Sequence, residues 1–433
     1  MALEYDAVVV GAGPGGASAA RELVRAGRKV VMLEYGPDGG RIGSHLSLIN
    51  KIDLKNALPL GHEVMVRGLA TGGSSLIYCG TATKPAAFIR ERTGIDLDPL
   101  ADQFIEELGV APLPDSLVGE SALRIMESAQ RLGLEWQLLP KFIDPSKCVP
   151  HCGECMLGCR REAKFTARRF VNEARTMGLT LRPKTRVDRV ITEGGKAVGV
   201  FGLGPDGPVE VRAEKVILAA GGLGTPIILK RSGIDEAGQG FFSDPLVFTY
   251  GLLEDVDRGS IYDIPMTAGT WQFHEKEGVM MTDLAEPWML LMASMGTSWP
   301  PRVDQWPRMR RTVGIMTKVK DPVSGTIDAR GRLRKDLEPE VRWRLAFGDR
   351  QARAILRQAG VREPSLFTSP VKAAHPGGSA PIGRVVDRNL ETDIKNCFVA
   401  DASVVPDELG TPVVLLALCI GRYAAQTMLA NWN

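Results

Sequence analysis

The first forty residues alternate between short apolar runs and a glycine-rich turn. Ala7–Val10 is apolar and predicts a buried strand, and Ala17–Ala26 has the apolar spacing of a helix, which Gly27 closes. Arg28–Leu33 predicts a second strand. A strand, a helix and a strand in this order predict a parallel sheet with helices packed against it.

Similar patterns return much later in the chain. Thr185–Ile191 and Val209–Val211 predict the two arms of a hairpin. Lys215–Gly222 predicts a buried strand that ends at a glycine turn, and a helix is expected to open at Thr225–Leu229. Asn396–Ser403 predicts a last strand that ends in an acidic residue. We expect these strands to join the sheet that the first residues begin.

The part of the chain between these segments has a different pattern. Trp271–His274 and Val279–Thr282 alternate between apolar and polar positions, which predicts antiparallel strands. Glu338–Gly360 predicts an amphipathic helix whose inward positions include Trp343. The sequence therefore predicts an α/β fold: a doubly wound, Rossmann-like domain with an interleaved α+β domain built on an antiparallel sheet.

Composition and charge exclude several classes of protein. The 433 residues are 44% apolar and 24% charged, and the net charge of +2 gives no general attraction to nucleic acid or to an anionic membrane. No apolar run reaches the roughly 18 residues that a membrane span needs. The first residues do not have the pattern of a signal peptide, so we expect a cytoplasmic protein whose seven cysteines are reduced.

The glycine turn after the first predicted strand has the spacing of a dinucleotide site. Gly11 permits the tight turn, Gly13 lets the backbone approach a pyrophosphate, and Gly16 lets helix and strand pack closely. Glu34 ends the second predicted strand, where it can accept hydrogen bonds from a ribose. Because the chain returns to this sheet near its end, FAD, which is long, fits better than NAD.

Four of the seven cysteines fall within twelve residues. Cys148, Cys152, Cys155 and Cys159 are spaced C-x3-C-x2-C-x3-C, and the last three match the spacing of ferredoxin clusters. An iron–sulfur cluster is the favoured interpretation, as 4Fe-4S or 3Fe-4S. Zinc and unligated structural cysteines are the alternatives.

The second half of the chain suggests a substrate region. Residues 266–316 hold eight of the fifteen methionines and four of the seven tryptophans, which predicts an apolar, adaptable pocket wall or the core of a β-layer. A locally basic stretch follows and is interpreted as a solvated face, with docking of an acidic electron carrier as the alternative. The basic residues are Arg302, Arg308, Arg310, Arg311, Lys318 and Lys320.

Five motifs in order resemble the glucose–methanol–choline (GMC) oxidoreductase family of flavoproteins. They are Gly11–Gly16 with Glu34, Gly72–Ser75, Val216–Pro226, His375–Gly378 and Val399–Ser403. The resemblance implies FAD held by Gly11, Gly13, Gly16 and Glu34, with Gly73 and Ser74 near the pyrophosphate and flavin. It also implies a contact of Val187 with adenine, and places Asp401 and Ala402 beside the ribityl–phosphate segment. Residues 1–240, with the cysteine segment 148–159, are expected to bind FAD, 241–374 to bind substrate, and 375–433 to return to the FAD domain.

The resemblance also implies a reacting centre. Family members that match at His375 use this histidine to take a hydroxyl proton while hydride moves to flavin N5, and neutral imidazole suits that step. Thr411 stands where the family usually has His or Asn, and Tyr78 stands where an asparagine commonly follows the GGSS stretch. Thr411 can hydrogen-bond a substrate oxygen but cannot act as a base. Tyr78 can stack on the flavin or donate a hydrogen bond.

The expected activity is FAD-dependent oxidation of a CH–OH group on a small, fairly apolar alcohol. The resemblance to the iron–sulfur branch of the family implies that electrons leave through the cluster to a one-electron carrier protein or a quinone. One alternative is a flavin-dependent reductase of an unsaturated or carbonyl substrate. The other is an electron-transfer subunit that has flavin and cluster but no substrate of its own.

Overall fold

The two apolar runs at the start of the chain are neighbouring strands of one sheet, as their pattern predicts. The computed structural model describes residues 4–39, 42–49, 51–52, 64–65, 67–256, 259 and 261–432. Its strands are β1 (Tyr5–Val10), β2 (Val30–Leu33), β3 (Val64–Met65), β4 (Gln137–Leu138), β5 (Thr180–Arg182), β6 (Arg186–Glu193), β7 (Lys196–Gly204), β8 (Gly207–Leu218), β9 (Pro245–Leu252), β10 (Ala268–Thr270), β11 (Val279–Leu284), β12 (Thr312–Val319), β13 (Thr326–Ile327), β14 (Leu333–Arg334), β15 (Phe367–Thr368), β16 (Lys372–Ala373) and β17 (Cys397–Val399).

Helices are interspersed with these strands along the chain. They are α1 (Pro14–Arg25), α2 (His45–Ile49), α3 (Ala87–Thr93), α4 (Asp98–Glu107), α5 (Glu120–Arg131), α6 (Arg168–Thr176), α7 (Gly221–Arg231), α8 (His274–Glu277), α9 (Trp288–Thr297), α10 (Pro339–Gln358) and α11 (Val414–Ala430). Among the described residues, no helix combines the length and the apolar character that a membrane crossing requires.

The first sheet has the predicted parallel, doubly wound core. Within the described residues its parallel strands run in the order β5-β2-β1-β8-β17. The second half of β8 pairs with β1 and β17, while its first half continues into an antiparallel meander with β7 and β6. The sequence predicted only two arms here, and the structure adds β7 between them. The fold class is confirmed.

The second sheet carries the other layer of the molecule. Its order is β3-β16-β9-β12-β11-β10-β4, and β15 pairs with β9. Two of its strands, β3 and β4, come from the first 240 residues, so that segment is not confined to the first sheet. The predicted strand at Trp271–His274 is wrong, because β10 ends at Thr270 and His274 opens the short helix α8.

The two faces of the second sheet pack against different partners. Val313, Ile315 and Val319 of β12 lie on the face that α10 covers. Met316 lies on the opposite face, in an apolar cluster with Phe248 of β9. Since side chains alternate along a strand, Lys318 shares the face of Met316. We call this the site face of the sheet.

Candidate active site

The glycine turn between β1 and α1 is shaped by close packing at two positions and by open space at one. Gly11 has a φ of +103°, and a Cβ there would lie 2.3 Å from the carbonyl oxygen of Ala219. A Cβ on Gly16 would lie 2.1 Å from the carbonyl oxygen of Gly11. Gly13 has no heavy atom within 4 Å of that position. The turn therefore leaves room for a phosphate at the amino end of α1, as FAD requires.

Glu34 follows β2 and lies beside this turn. Its two carboxylate oxygens accept hydrogen bonds from the backbone N–H groups of Ala12 (2.8 Å) and Gly36 (2.7 Å). Burial raises the pKa of Glu34 and these hydrogen bonds oppose the rise. Each oxygen keeps a lone pair for a ribose hydroxyl. The N–H of Thr185 donates to the carbonyl of Glu34 (2.8 Å), which brings the start of β6, with Val187, to the same end of the sheet.

The GGSS segment packs directly on the glycine turn. The N–H of Gly72 donates to the carbonyl of Ala12 (2.9 Å), and a Cβ on Gly73 would lie 2.8 Å from Cα of Gly13. Gly73 has a φ of +54°. Ser74 is exposed, and its Oγ accepts a hydrogen bond from the N–H of Gly68 (3.1 Å). The predicted neighbours of the pyrophosphate therefore lie together.

Asp401 follows β17, and its carboxylate links two turns of the first sheet by hydrogen bonds. Its carboxylate accepts hydrogen bonds from the N–H of Gly221 (2.8 Å) and the hydroxyl of Thr225 (2.6 Å). Its other oxygen accepts from the N–H and hydroxyl of Ser403. These bonds join the turn after β8 to the turn after β17. The carbonyl of Ala402 accepts a hydrogen bond from Gly378 (3.0 Å), which connects the nucleotide end of the sheet to the His375 turn.

Three titratable side chains meet at one end of three neighbouring strands. Asp244 immediately precedes β9, Lys318 lies near the end of β12, and His375 follows β16. The Lys318 ammonium lies 2.9 Å from the Asp244 carboxylate and contacts Nδ1 of His375. The Asp244 carboxylate lies 3.5 Å from the same nitrogen. Asp244 and Lys318 are buried, so the pair is shielded from water.

The charges of this cluster shift one another's pKa values. Burial, followed by the charge of Lys318, lowers the pKa of His375 from 6.5, and contacts with Asp244 and Thr411 oppose this. Burial lowers the pKa of Lys318, while Asp244 opposes the loss of its charge. Burial alone would raise the pKa of Asp244, but Lys318 and His375 hold it below its ordinary value. His375 is therefore neutral over a wider pH range than a free histidine.

The Asp244–Lys318 pair is not predicted from the sequence. The interpretation of Lys318 as part of a solvated basic face is wrong, because Lys318 is 1% exposed inside a fully buried strand. The sequence does contain a sign that Lys318 is buried, since it is the one charged residue in the apolar run from Thr312 to Val319. Lysines are almost never fully buried without a partner.

The two other predicted catalytic residues lie in different places. The carbonyl of Thr411 accepts a hydrogen bond from Lys318 (2.8 Å), and the N–H of Gly410 donates to Asp244 (3.0 Å), so this segment adjoins His375. The hydroxyl of Tyr78 instead donates to the carbonyl of Phe165 (2.9 Å). Burial raises the pKa of Tyr78 well above its ordinary value. The structure brings Thr411, but not the Tyr78 hydroxyl, to the His375 cluster.

The four clustered cysteines line one cavity. Gly153 and Gly158 have positive φ angles that let the loop wrap around it. Burial raises the pKa of Cys148 to about 11 and that of Cys155 to about 12. Within the described part of the chain, no three His, Cys, Asp or Glu side chains are already arranged as ligands around a common metal position.

Two buried lysines hold the backbone near this cavity and the GGSS segment. Lys164 lines the cavity, and its ammonium donates to the carbonyls of Leu76 (3.0 Å) and Tyr78 (2.8 Å). The ammonium of Lys141 donates to the carbonyls of Cys79 (2.8 Å) and Pro265 (2.7 Å). Both lysines are at most 2% exposed, and the hydrogen bonds described for them join no carboxylate. Burial lowers the pKa of both lysines, that of Lys164 to about 8, so an anionic group nearby would favour their charged forms.

The predicted methionine- and tryptophan-rich wall is only partly present. Met266, Met280, Met295 and Met316 belong to the apolar cluster on the site face, and Trp271 packs against it. Three other tryptophans of that stretch are exposed instead, so their assignment to the pocket wall is wrong. They are Trp288, Trp299 and Trp306.

Comparison with known proteins agrees with this geometry. A family model described as GMC oxidoreductase matches residues 5–246. An uncharacterised GMC-type oxidoreductase of Mycobacterium tuberculosis is 28% identical, covering 96% of this chain and 74% of the relative. A long-chain-alcohol oxidase of Arabidopsis thaliana is 27% identical, covering 97% of this chain and 68% of the relative.

A solved structure has the same fold. The crystal structure of pyridoxine 4-oxidase from Mesorbium loti superposes with a TM-score of 0.72 at 18% sequence identity, covering 98% of this chain and 99% of that one. At this identity the likeness speaks for the fold alone. The residues that match the family model, 5–246, include β1, α1 and β2 with the glycine turn between them.

Proposed function

This chain belongs to the GMC oxidoreductase family, and on that premise we propose that it oxidises a CH–OH group of a small, apolar alcohol, with His375 as proton acceptor. The chain is an FAD-dependent oxidoreductase, and family relatives include alcohol oxidases. The observation that carries the proposal is the placement of His375. His375 lies next to the buried Asp244–Lys318 pair and beside the apolar site face. The turn that follows it is hydrogen-bonded to the carbonyl of Ala402.

The residues that would hold FAD fit that group. Gly13 leaves open space at the amino end of α1, Glu34 keeps lone pairs for the ribose, and Gly73 closes over the turn. Val187, Asp401 and Ala402 adjoin the same end of the first sheet. When bound, the flavin supplies the acceptor for the hydride.

The proton step depends on which nitrogen of His375 carries hydrogen. To take a hydroxyl proton at Nε2, His375 must hold its own hydrogen at Nδ1, facing Lys318 and Asp244. The Asp244 carboxylate lies 3.5 Å from Nδ1 and can accept that hydrogen bond, while the Lys318 ammonium holds the carboxylate at 2.9 Å. Asp244 and Lys318 thus act through His375 as positioning residues.

The reverse direction is the second candidate function. The ammonium form of Lys318 donates to Nδ1 and leaves the hydrogen on Nε2, where His375 is a proton donor to a carbonyl oxygen. Anaerobic mixing distinguishes the directions. A primary alcohol should bleach the oxidised flavin rapidly, whereas faster reoxidation of chemically reduced enzyme by an aldehyde or enone would favour the reductase.

We expect the rate of alcohol-driven flavin reduction to stay on its plateau down to pH values below 6.5. The base form of His375 is neutral imidazole, so the rate falls as the pH drops through the pKa of this residue. That pKa is lowered from 6.5, mainly by burial and next by Lys318. Stopped-flow measurements across the acidic range check this, and an acidic limb centred above pH 6.5 would contradict it.

Replacing Glu34 by alanine is expected to weaken FAD binding by about 1.5–3 kcal/mol, because a charged acceptor of ribose hydrogen bonds is lost. Titration of apoprotein by flavin fluorescence measures the effect. Glu34→Gln is the matched control, since its amide oxygen still accepts from one of the N–H groups of Ala12 and Gly36. Equal affinity of wild type and Glu34→Ala, or NAD(P) in place of flavin in purified protein, would contradict the assignment.

An iron–sulfur cluster on Cys148, Cys152, Cys155 and Cys159 stays a prediction, and two features support it. The four thiols face one cavity, and Lys164 lines that cavity while donating to the backbone of the GGSS segment. A cluster held by four thiolates is anionic, which matches the buried ammonium groups of Lys164 and Lys141. The cluster would pass electrons singly to a carrier protein or quinone. Zinc would make the loop a structural site.

A further inference from the structure

Six large apolar side chains are exposed within a stretch of nineteen residues. We call them the aromatic patch: Trp288, Met289, Leu290, Trp299, Val303 and Trp306. They make up half of the exposed large apolar side chains in the described part of the chain, and Trp299 is 93% exposed. So many large apolar side chains exposed in one short stretch indicate a site of interaction.

The two halves of the aromatic patch, on α9 and in the segment after it, lie against each other through Met295 and Gly296. The N–H of Arg302 donates to the carbonyl of Met295 (2.8 Å), so the segment after α9 folds back against that helix. A Cβ on Gly296 of α9 would lie 3.9 Å from the Trp306 ring. α9 itself has no charged side chain and is apolar on both its inner and outer faces. A helix with this composition is normally covered on all sides.

Arginines form the border of the patch. Arg308, Arg311 and Arg362 all pair with one carboxylate, that of Glu254. Arg302 pairs with Asp304, while the exposed Arg310 lies 5.9 Å from the centre of the Tyr262 ring. Among these residues five arginines face two carboxylates, so the border of the patch is positively charged.

The inner side of α9 covers the site face of the second sheet. Leu291 and Met295 are fully buried in the apolar cluster with Phe248 and Met316. The Ser294 hydroxyl donates to Glu286, and Lys372 donates to Ser294 (2.9 Å). The same helix therefore has one face toward the reacting centre and the other at the surface.

We propose that the aromatic patch docks on an anionic lipid bilayer, without crossing it, and that apolar alcohols reach the reacting centre from the lipid phase. Tryptophan side chains prefer the interface between lipid and water, and arginines attract anionic headgroups. α9 has few polar groups that could form hydrogen bonds with a protein partner, whereas the apolar part of a bilayer requires only apolar contact. The proposal deepens the function proposed above by naming lipid-dissolved alcohols as substrates, and its substrate part rests on that function.

The test is sedimentation of FAD-loaded protein with vesicles of phosphatidylglycerol and phosphatidylcholine, compared with phosphatidylcholine alone. We expect binding to the anionic vesicles that weakens as salt is added. The double variant Leu290→Glu with Trp299→Glu should lower the partition coefficient at least tenfold, roughly the effect of removing a buried apolar anchor. Arg310→Ala should lower it about fivefold, the contribution of one surface arginine. The matched control is Trp343→Glu, which alters a half-exposed tryptophan on α10.

Three outcomes would overturn the docking proposal. They are absence of binding to anionic vesicles, an equal loss in Trp343→Glu, and a dimer that Trp299→Glu dissociates, which would assign the patch to a second copy of the chain. Turnover of a short, water-soluble alcohol is measured separately and should be unchanged in Trp299→Glu. Vesicle binding without any alcohol oxidation would contradict the proposed function and leave the docking intact.

Discussion

Replacing His375 is expected to leave FAD bound and to slow alcohol-driven flavin reduction by about 10²–10⁴-fold, the usual contribution of a positioned general base. Asparagine is the better first replacement. His375 has a φ of +60°, a conformation that asparagine tolerates and alanine does not. His375→Asn therefore removes the base with the least strain on the turn, and His375→Ala should show at least the same loss.

Single-turnover kinetics under anaerobic conditions measure this effect without interference from an electron acceptor. His274→Asn is the matched control, because His274 is also buried and contacts the carbonyl of Leu409 (3.1 Å), close to the Thr411 segment. It should keep nearly the wild-type rate. If His375→Asn reduced its flavin as fast as wild type, His375 would not be the base and solvent would have to take the proton.

The nucleotide half of the fold follows from sequence because its signals are local. β1, α1 and β2 differ from their predicted ranges only at the ends, and Glu34 falls beside the glycine turn as its spacing predicts. Each of these signals lies within one short segment, where periodicity and turn chemistry dominate. The return of the last strand, β17, to the first sheet also agrees with its pattern, whereas its parallel pairing with β8 comes from the structure.

The reacting centre could be predicted only at His375. Its partners come from other strands, and it is the pairing of β9 with both β12 and β16 that makes them neighbours. A charged residue within an apolar strand could have indicated that Lys318 is buried, but its partner Asp244 has no local signal. Pairings between distant segments are set by tertiary contacts, which single-segment patterns do not contain.

The aromatic residues show the same limit of pattern reasoning. Trp343 was assigned to the inward face of its helix, and this is wrong, because it is 50% exposed and stacks on Phe347. Trp299 is expected in a pocket wall or in the core of a β-layer, and it is almost fully exposed. Apolar character identifies surface that avoids water, but it does not distinguish a core from an interaction surface.

The second large effect is expected from Cys155→Ser. Cys155 is 5% exposed and lines the cysteine cavity with Lys164, which is hydrogen-bonded to the Tyr78 carbonyl. If a cluster at this position relays electrons, its loss should leave alcohol-driven flavin reduction nearly unchanged and abolish transfer to a one-electron acceptor. Oxygen should then be a poor acceptor for the native enzyme. The purified native protein should contain roughly four iron atoms and four acid-labile sulfides per chain.

The control separates loss of a ligand from loss of a buried thiol. Cys397 in β17 and Cys419 in α11 are fully buried outside the loop, so Cys397→Ser and Cys419→Ser should keep iron, sulfide and acceptor reduction. Equal loss in these variants would indicate a general folding defect. Stoichiometric zinc without sulfide in the native protein would make the loop a structural site. Rapid reoxidation by oxygen in protein without sulfide would identify an oxidase, since the reduced flavin then needs no relay.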